Sequence, residues 1–190
     1  MTGSGLAAVV LAGGLGTRMH SETPKHIHPL LGRRLVDWVA EAARALDPDP
    51  LVLVTSPDHA ASFDGLAVAI QDEPLGTGHA VLAARTSLDR HNGDVLVLAG
   101  DSPLLRPETL RALLETHRTS RAAATVLTFT REDPGSYGRI VRGDDDAIQA
   151  IVEAADLEER HLAITELNSS TYVFNADKLW PALERLDPAN

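Results

Sequence analysis

Residues 6–12 read Leu-Ala-Ala-Val-Val-Leu-Ala, an unbroken apolar run with no polar position to turn toward water. That is the pattern of a strand buried on both faces of a parallel sheet. Residues 95–99, Val-Leu-Val-Leu-Ala, predict a second strand of the same kind. Residues 51–55 and 67–71 predict two more, the last apolar until Gln71. Between these runs the period changes. Leu35, Val36, Val39, Ala42, Ala43 and Leu46 recur at helical spacing, which predicts an amphipathic helix over 35–46, stopped by Pro48 and Pro50. Residues 80–84 read as a helix entered through a flexible loop, Gly76-Thr77-Gly78-His79. Residues 107–117 read as another, with Pro107 in its first turn. Later come β-like segments at 122–130, 137–141, 147–152 and 166–174, then a final helix over 176–186. Alternating strands and helices predict an α/β fold: an open, mixed but mainly parallel sheet with a partly antiparallel edge formed by the later strands. No repeat or linker interrupts the 190 residues, a length that suits one domain.

The first apolar run stops at Gly13-Gly14-Leu15-Gly16-Thr17-Arg18, and Pro24-Lys25 follows. Glycines let backbone N–H groups approach an anion. Arg18 adds a planar fork for phosphate oxygens and Lys25 a compact charge. The loop is not a P-loop, which needs a lysine directly after its glycines. Nor is it a dinucleotide fingerprint, since Met19 stands where the third glycine belongs. An ordinary strand-to-loop turn is the alternative, and the two cations tilt the reading to phosphate.

Ligands of open α/β sheets bind beyond the carboxyl ends of the strands. Gly13 to Gly16, Gln71, Gly76-Thr77 and Asp101 all follow apolar strands, so one edge of the sheet is expected to collect them. Asp101 at a strand end suits Mg²⁺, which bridges protein carboxylate to phosphate. It also suits a plain turn before Pro103. A phosphate loop nearby favours the metal. The Gln71 amide matches the edge of a nucleobase. His20, His26 and His28 read as loop histidines, because neither cysteine nor zinc-binding spacing accompanies them. Asp144 to Asp146 read as a solvated turn.

Composition narrows the partners. A net charge of −10 argues against polymeric nucleic acid. It does not exclude a triphosphate, because distant charges are screened beyond roughly 8 Å and local cations decide. Lys25 and Lys178 are the only lysines in a chain whose other basic residues are arginines. The absence of cysteine excludes disulfides and thiolate chemistry and suits the cytoplasm. No apolar stretch approaches the roughly 20 residues of a membrane span.

These motifs together resemble a known family. Leu-Ala-Gly-Gly-Leu-Gly-Thr-Arg-Met at 11–19 with Pro24-Lys25 is similar to the signature of sugar-nucleotide pyrophosphorylases. Gly76-Thr77-Gly78-His79-Ala80, Gly100-Asp101-Ser102-Pro103-Leu104, Tyr137-Gly138-Arg139-Ile140, Ile151-Val152-Glu153 and Asn168-Ser169 narrow it. In that order they resemble the uridyltransferase domain of the bifunctional N-acetylglucosamine-1-phosphate uridyltransferase/glucosamine-1-phosphate acetyltransferase. The resemblance implies a Rossmann-like sheet of the nucleotide-diphospho-sugar transferase type, with helices on both faces. It implies that UDP-N-acetylglucosamine, a peptidoglycan precursor, is made in the cytoplasm from UTP and N-acetylglucosamine 1-phosphate. Arg18 and Lys25 would be catalytic. Leu11, Ala12, Gly13, Gly14, Lys25, Gln71, Gly76, Thr77, Ala99, Gly100 and Asp101 would bind the nucleotide. Gly138, Glu153 and Asn168 would hold the sugar, and Asp101 would ligate Mg²⁺.

The chain departs from the family pattern at two positions. Ser170 stands where a glycine is usual, which matters if the backbone there has positive φ. Ala99 stands where some relatives carry a tyrosine near the sugar. The resemblance also implies a nucleotidyltransferase domain over 1–190, cut short before a second Mg²⁺ ligand. The acetyltransferase β-helix and the trimer built through it would be missing, leaving a monomer with a question over its activity. The rivals are a transferase of another sugar or base and a non-catalytic nucleotide-sugar-binding domain.

Overall fold

The computed structural model describes residues 5–14, 21, 23–63 and 65–186. Two compact units divide the chain, Met1–Thr125 with Tyr172–Asn190, and Val126–Thr171.

The first unit opens with β1 (Leu6–Leu11), then a hairpin of β2 (Pro29–Leu30) and β3 (Arg33–Arg34). There follow α1 (Leu35–Arg44), β4 (Leu51–Thr55), β5 (Ala67–Ile70), α2 (Thr77–Ala83), β6 (Asp94–Ala99) and α3 (Pro107–Ser120). β7 (Ala124–Thr130) leads into the second unit, which holds β8 (Arg139–Arg142) and β9 (Ile148–Val152). β10 (Glu166–Asn175) returns the chain to the first unit, where α4 (Ala176–Leu183) closes it.

In the first unit the strand order is β5-β4-β1-β6-β10. β5, β4, β1 and β6 are mutually parallel. The end of β10 runs antiparallel to β6, from Tyr172 opposite Val97 to Asn175 opposite Asp94. Side chains alternate across the pleat, so a strand that is apolar throughout needs cover on both sides. Ala7, Val9, Val52, Val54, Val95 and Val97 pack with Ala80 and Val81 of α2 and with Ala176 and Leu179 of α4. Ala8, Val10, Leu53, Leu96 and Leu98 point to the other face and are equally buried. There α1, which packs on β1 and α3, buries Val36, Val39, Ala40 and Ala43. The sheet is open and mainly parallel, with helices on both faces.

The elements differ from the sequence reading mainly at their ends. α2 begins at Thr77, so Thr77, Gly78 and His79 form its first turn instead of a loop. Gly76 precedes it at φ +101, a conformation that favours glycine. α3 runs on to Ser120 and stops at Arg121 with φ +52. The β2–β3 hairpin escaped the reading because two-residue strands carry no period. Its turn, Leu31-Gly32, has positive φ at both residues, as tight hairpins require.

In the second unit β8 pairs antiparallel with β9, Arg139 opposite Val152. It pairs with the start of β10 at Leu167, and β7 also pairs with β10. β9 is half-buried to exposed along its length. Among the described residues, no helix is long and apolar enough to cross a membrane.

Candidate active site

Winding reverses between β1 and β6: the chain leaves β1 for β4 on one side and later enters β6 on the other. Loops leaving two such strands diverge, and the crevice between them is where open α/β sheets bind ligands. Here the two loops are Ala12-Gly13-Gly14 and Gly100-Asp101. Their bases are tied to the sheet by Ala12 N donating to Val54 O at 2.7 Å and Gly100 N to Leu11 O at 2.8 Å.

A short 3-10 turn, Lys25–Ile27, reaches into this crevice. The Lys25 ammonium forms an ion pair with the Asp101 carboxylate, both side chains partly exposed. The next residue, His26, is 6% exposed. Its ring lies 3.7 Å from where a Cβ on Gly14 would stand and 3.2 Å from one on Gly100. A Cβ on Gly100 would also stand 2.8 Å from the Leu11 carbonyl oxygen, so that position excludes a side chain. His26 Nδ1 is buried without a hydrogen-bond partner among the described residues. Burial holds the imidazole below its ordinary pKa of 6.5; Asp101 opposes this, and Lys25 and His59 reinforce it. His26 therefore favours the neutral ring form between the two loops. The sequence alone gives it as a loop histidine. Its one signal was its place beside Lys25, because nothing in a polar segment announces burial from a distant loop.

Gln71 closes the other side. Its backbone N donates to Thr55 O at 2.8 Å, fixing it at the end of β5. Its Oε1 lies 3.1 Å from a Cβ position on Gly13, and its Nε2 donates to Gly76 O at 3.2 Å. The first unit thus brings together Leu11, Ala12, Gly13, Gly14, Lys25, Gln71, Gly76, Gly100 and Asp101. Ala99 ends β6 beside them, and Thr77 is exposed at the start of α2. Arg18 lies outside the described residues, as do Gly16 and His20.

The second unit gathers its own cluster. Gly138 and Glu153 stand one step beyond the Arg139–Val152 pair and share a face. The Glu153 carboxylate lies across Gly138, with Oε1 3.0 Å from where a Cβ would be. Asn168 N donates to Gly138 O at 2.9 Å. Asn168 Oδ1 accepts from Ser170 N at 2.9 Å. Ser170 has φ +58, in the left-handed region that favours glycine. The departure noted in the sequence therefore falls on a strained position that also holds the Asn168 amide.

No group of three or more acidic or histidine side chains suited to a metal occurs among the described residues. Among the described residues, the carboxylate that the crevice offers a metal is that of Asp101. One carboxylate is enough for Mg²⁺ that brings its own waters and is shared with substrate phosphates, so the site fits that ion.

Comparison with known proteins identifies the family and the fold. The chain is 44% identical over 191 residues to Bifunctional protein GlmU of Geobacter metallireducens, covering 97% of this chain and 40% of that protein. It is 45% identical over 196 residues to the Mycobacterium bovis GlmU, with the same coverage of each. The chain thus spans about 40% of the length of the curated relatives it matches. A Bacillus anthracis crystal structure, assigned as a glucose-1-phosphate thymidylyltransferase and solved with sucrose, superposes with a TM-score of 0.76. That match covers 97% of this chain and 77% of the other at 18% identity, a likeness of fold. The model of the MobA-like NTP transferase domain matches residues 8–189. The chain belongs to that family of nucleotidyltransferase domains.

Proposed function

We propose that the chain transfers a uridylyl group from UTP to N-acetylglucosamine 1-phosphate, giving UDP-N-acetylglucosamine and pyrophosphate. The observation that carries this reading is the Lys25–Asp101 ion pair at the crevice between β1 and β6. It puts a phosphate-binding cation and a metal-binding carboxylate side by side, each neutralising the other. The similarity to GlmU over 97% of the chain supports the choice of substrates.

A phosphate oxygen of the sugar phosphate attacks the α-phosphorus of UTP in line. The bond to the bridging oxygen breaks, and its electron pair leaves with pyrophosphate. The nucleophile is already an anion, so no protein base is required. Catalysis is positioning and charge neutralisation. On binding, the ion pair exchanges partners: Lys25 turns to phosphate oxygens, and Asp101 becomes the carboxylate that would hold Mg²⁺. Bound Mg²⁺ supplies further neutralisation of the triphosphate. Arg18 adds a bidentate donor to phosphate. The main chain of Leu11 to Gly14 lines the phosphates, and Ala99 and Gly100 flank them. Gln71, Gly76 and Thr77 face the base and ribose. Gly138, Glu153 and Asn168 hold sugar hydroxyls and the acetamido group. Residues 1–190 act as one nucleotidyltransferase domain in this reading, and its product feeds cell-wall precursor synthesis in the cytoplasm.

Pyrophosphate release across a panel of nucleoside triphosphates and sugar 1-phosphates, with Mg²⁺ and with chelator, tests the assignment. The expected optimum is UTP with N-acetylglucosamine 1-phosphate, abolished by chelation. A faster rate with another base or sugar would reassign the specificity. Binding of UTP without any turnover would favour a non-catalytic domain.

A further inference from the structure

Arg139 is 5% exposed, yet no carboxylate pairs with it among the described residues. Its Nη1 donates to Tyr137 O, and its Nη2 donates to Gly135 O at 3.2 Å. Its Nε is buried without a partner among the described residues. A guanidinium taken out of water without a counter-charge is costly. Two backbone carbonyls are a poor return if the only purpose is stability.

The Tyr137 carbonyl suggests another purpose. Tyr137 C=O and Gly138 N–H belong to one peptide unit. In a trans peptide they point in opposite directions. A guanidinium that fixes the carbonyl therefore fixes the N–H, aimed away from itself. Arg139 shares its face of the sheet with Val152, opposite to the face shared by Gly138 and Glu153. The Gly138 carbonyl is taken by Asn168 N, whereas no protein group among the described residues takes the Gly138 N–H. A cation on one end of a peptide also polarises it, which strengthens the N–H as a donor. The Asp133–Gly138 turn is tied also by Gly135 N donating to Asp133 Oδ1, by Tyr137 N donating to Pro134 O at 3.3 Å and by an edge-on contact of Phe129 with Tyr137, but of these bonds only the Arg139 bond is made to the Tyr137 carbonyl itself.

We propose that Arg139 is a positioning residue of the sugar subsite. It holds the Tyr137–Gly138 peptide so that the Gly138 N–H is presented, already polarised, to an oxygen of the sugar phosphate. The proposal rests on the reading that Gly138, Glu153 and Asn168 hold the sugar. Arg139 itself touches no substrate.

Arg139→Lys keeps the charge and loses the fork that grips two carbonyls. In the full chain it is expected to raise the KM for N-acetylglucosamine 1-phosphate at least tenfold, with the KM for UTP within twofold. A purely structural role would not give this split, because a partly unfolded population lowers kcat and moves neither KM. Glu153→Gln and Asn168→Ala, run beside it, separate the two layers of the argument. If they raise the sugar-phosphate KM and Arg139→Lys does not, the proposal is overturned and the sugar reading stands. If none of the three changes it, the sugar reading fails and the proposal fails with it. Should Arg139→Lys not fold, the wild-type protein gives the answer by NMR. Titration with N-acetylglucosamine 1-phosphate in the presence of UTP analogue and Mg²⁺ should move the Gly138 amide resonance among the largest shifts. An unmoved Gly138 amide overturns the proposal.

Discussion

Around Gly13 and Gly100 the backbone is fixed by strands with no exposed side: β1 and β6 are buried along almost their whole length. Around Gly138 the buried residues are few and mostly polar. Arg139, His161, Asn168 and Thr171 accompany Ile140 and Leu167. The first arrangement is held by burial of apolar area, and the loops that leave it inherit its rigidity. The second is held by hydrogen bonds among groups that must satisfy one another. A change in the core of the first unit therefore acts on stability, whereas a change in the second unit acts on local geometry.

Mutations should expose this difference, first through stability. Leu98 is fully buried in β6, so Leu98→Ala should cost about 2–5 kcal/mol in chemical denaturation. Ile148 in β9 is 42% exposed, and Ile148→Ala should cost less than about 0.5 kcal/mol. Equal losses would mean that the second unit carries a core of its own weight. Two of the buried glycines sharpen the point. A Cβ on Gly100 would meet the Leu11 carbonyl, which is backbone, so Gly100→Ala should destabilise by about 1–3 kcal/mol. A Cβ on Gly138 would meet the end of the flexible Glu153 side chain. Gly138→Ala should leave the melting temperature nearly unchanged and weaken sugar-phosphate binding.

Ser170→Gly relieves a left-handed residue while keeping the Ser170 N to Asn168 Oδ1 bond. It should stabilise by up to about 1 kcal/mol, read as a small rise in melting temperature. A loss would mean that the serine hydroxyl contributes more than the strain costs.

The smallest expected effect is on pH dependence, and it belongs to the first unit. His117 is 3% exposed, with Nδ1 2.8 Å from Thr125 Oγ1. Burial lowers its pKa below 6.5; Asp94 opposes and Arg118 reinforces the shift. A histidine with a lowered folded-state pKa contributes stability above 6.5 that is lost as pH falls through the folded value. His26 acts in the same direction. Melting temperature should therefore fall as pH is lowered from about 6.5, and His117→Gln should flatten part of that slope. A slope unaltered by His117→Gln would leave other groups responsible.

The same contrast explains what the sequence disclosed. Apolar runs are a physical signal, so β1, β4, β5 and β6 could be read to within a residue at most ends. The polar residues that follow them, Gly13, Gln71 and Asp101, came with the strands. Gly138, Glu153 and Asn168 had no such signal, because half-exposed strands around a polar turn look like surface; only the family motifs singled them out. His26 reads in the sequence only as a loop histidine, since its burial is created by two loops far apart in the chain. Ser170 was flagged by comparison with the family pattern, and its φ gives that departure a physical meaning. Arg139 was visible only as a letter in a motif, because a guanidinium folded back on its own turn is a tertiary fact.

Lys25→Ala tests the central claim most directly, with pyrophosphate release from UTP and N-acetylglucosamine 1-phosphate as the readout. A hydrogen bond to a charged group is worth about 1.5–3 kcal/mol, so turnover should fall by roughly 10–150-fold. The melting temperature should barely move, because the pair with Asp101 is partly exposed. Turnover equal to wild type in a folded Lys25→Ala protein would contradict the assignment of this crevice to the triphosphate.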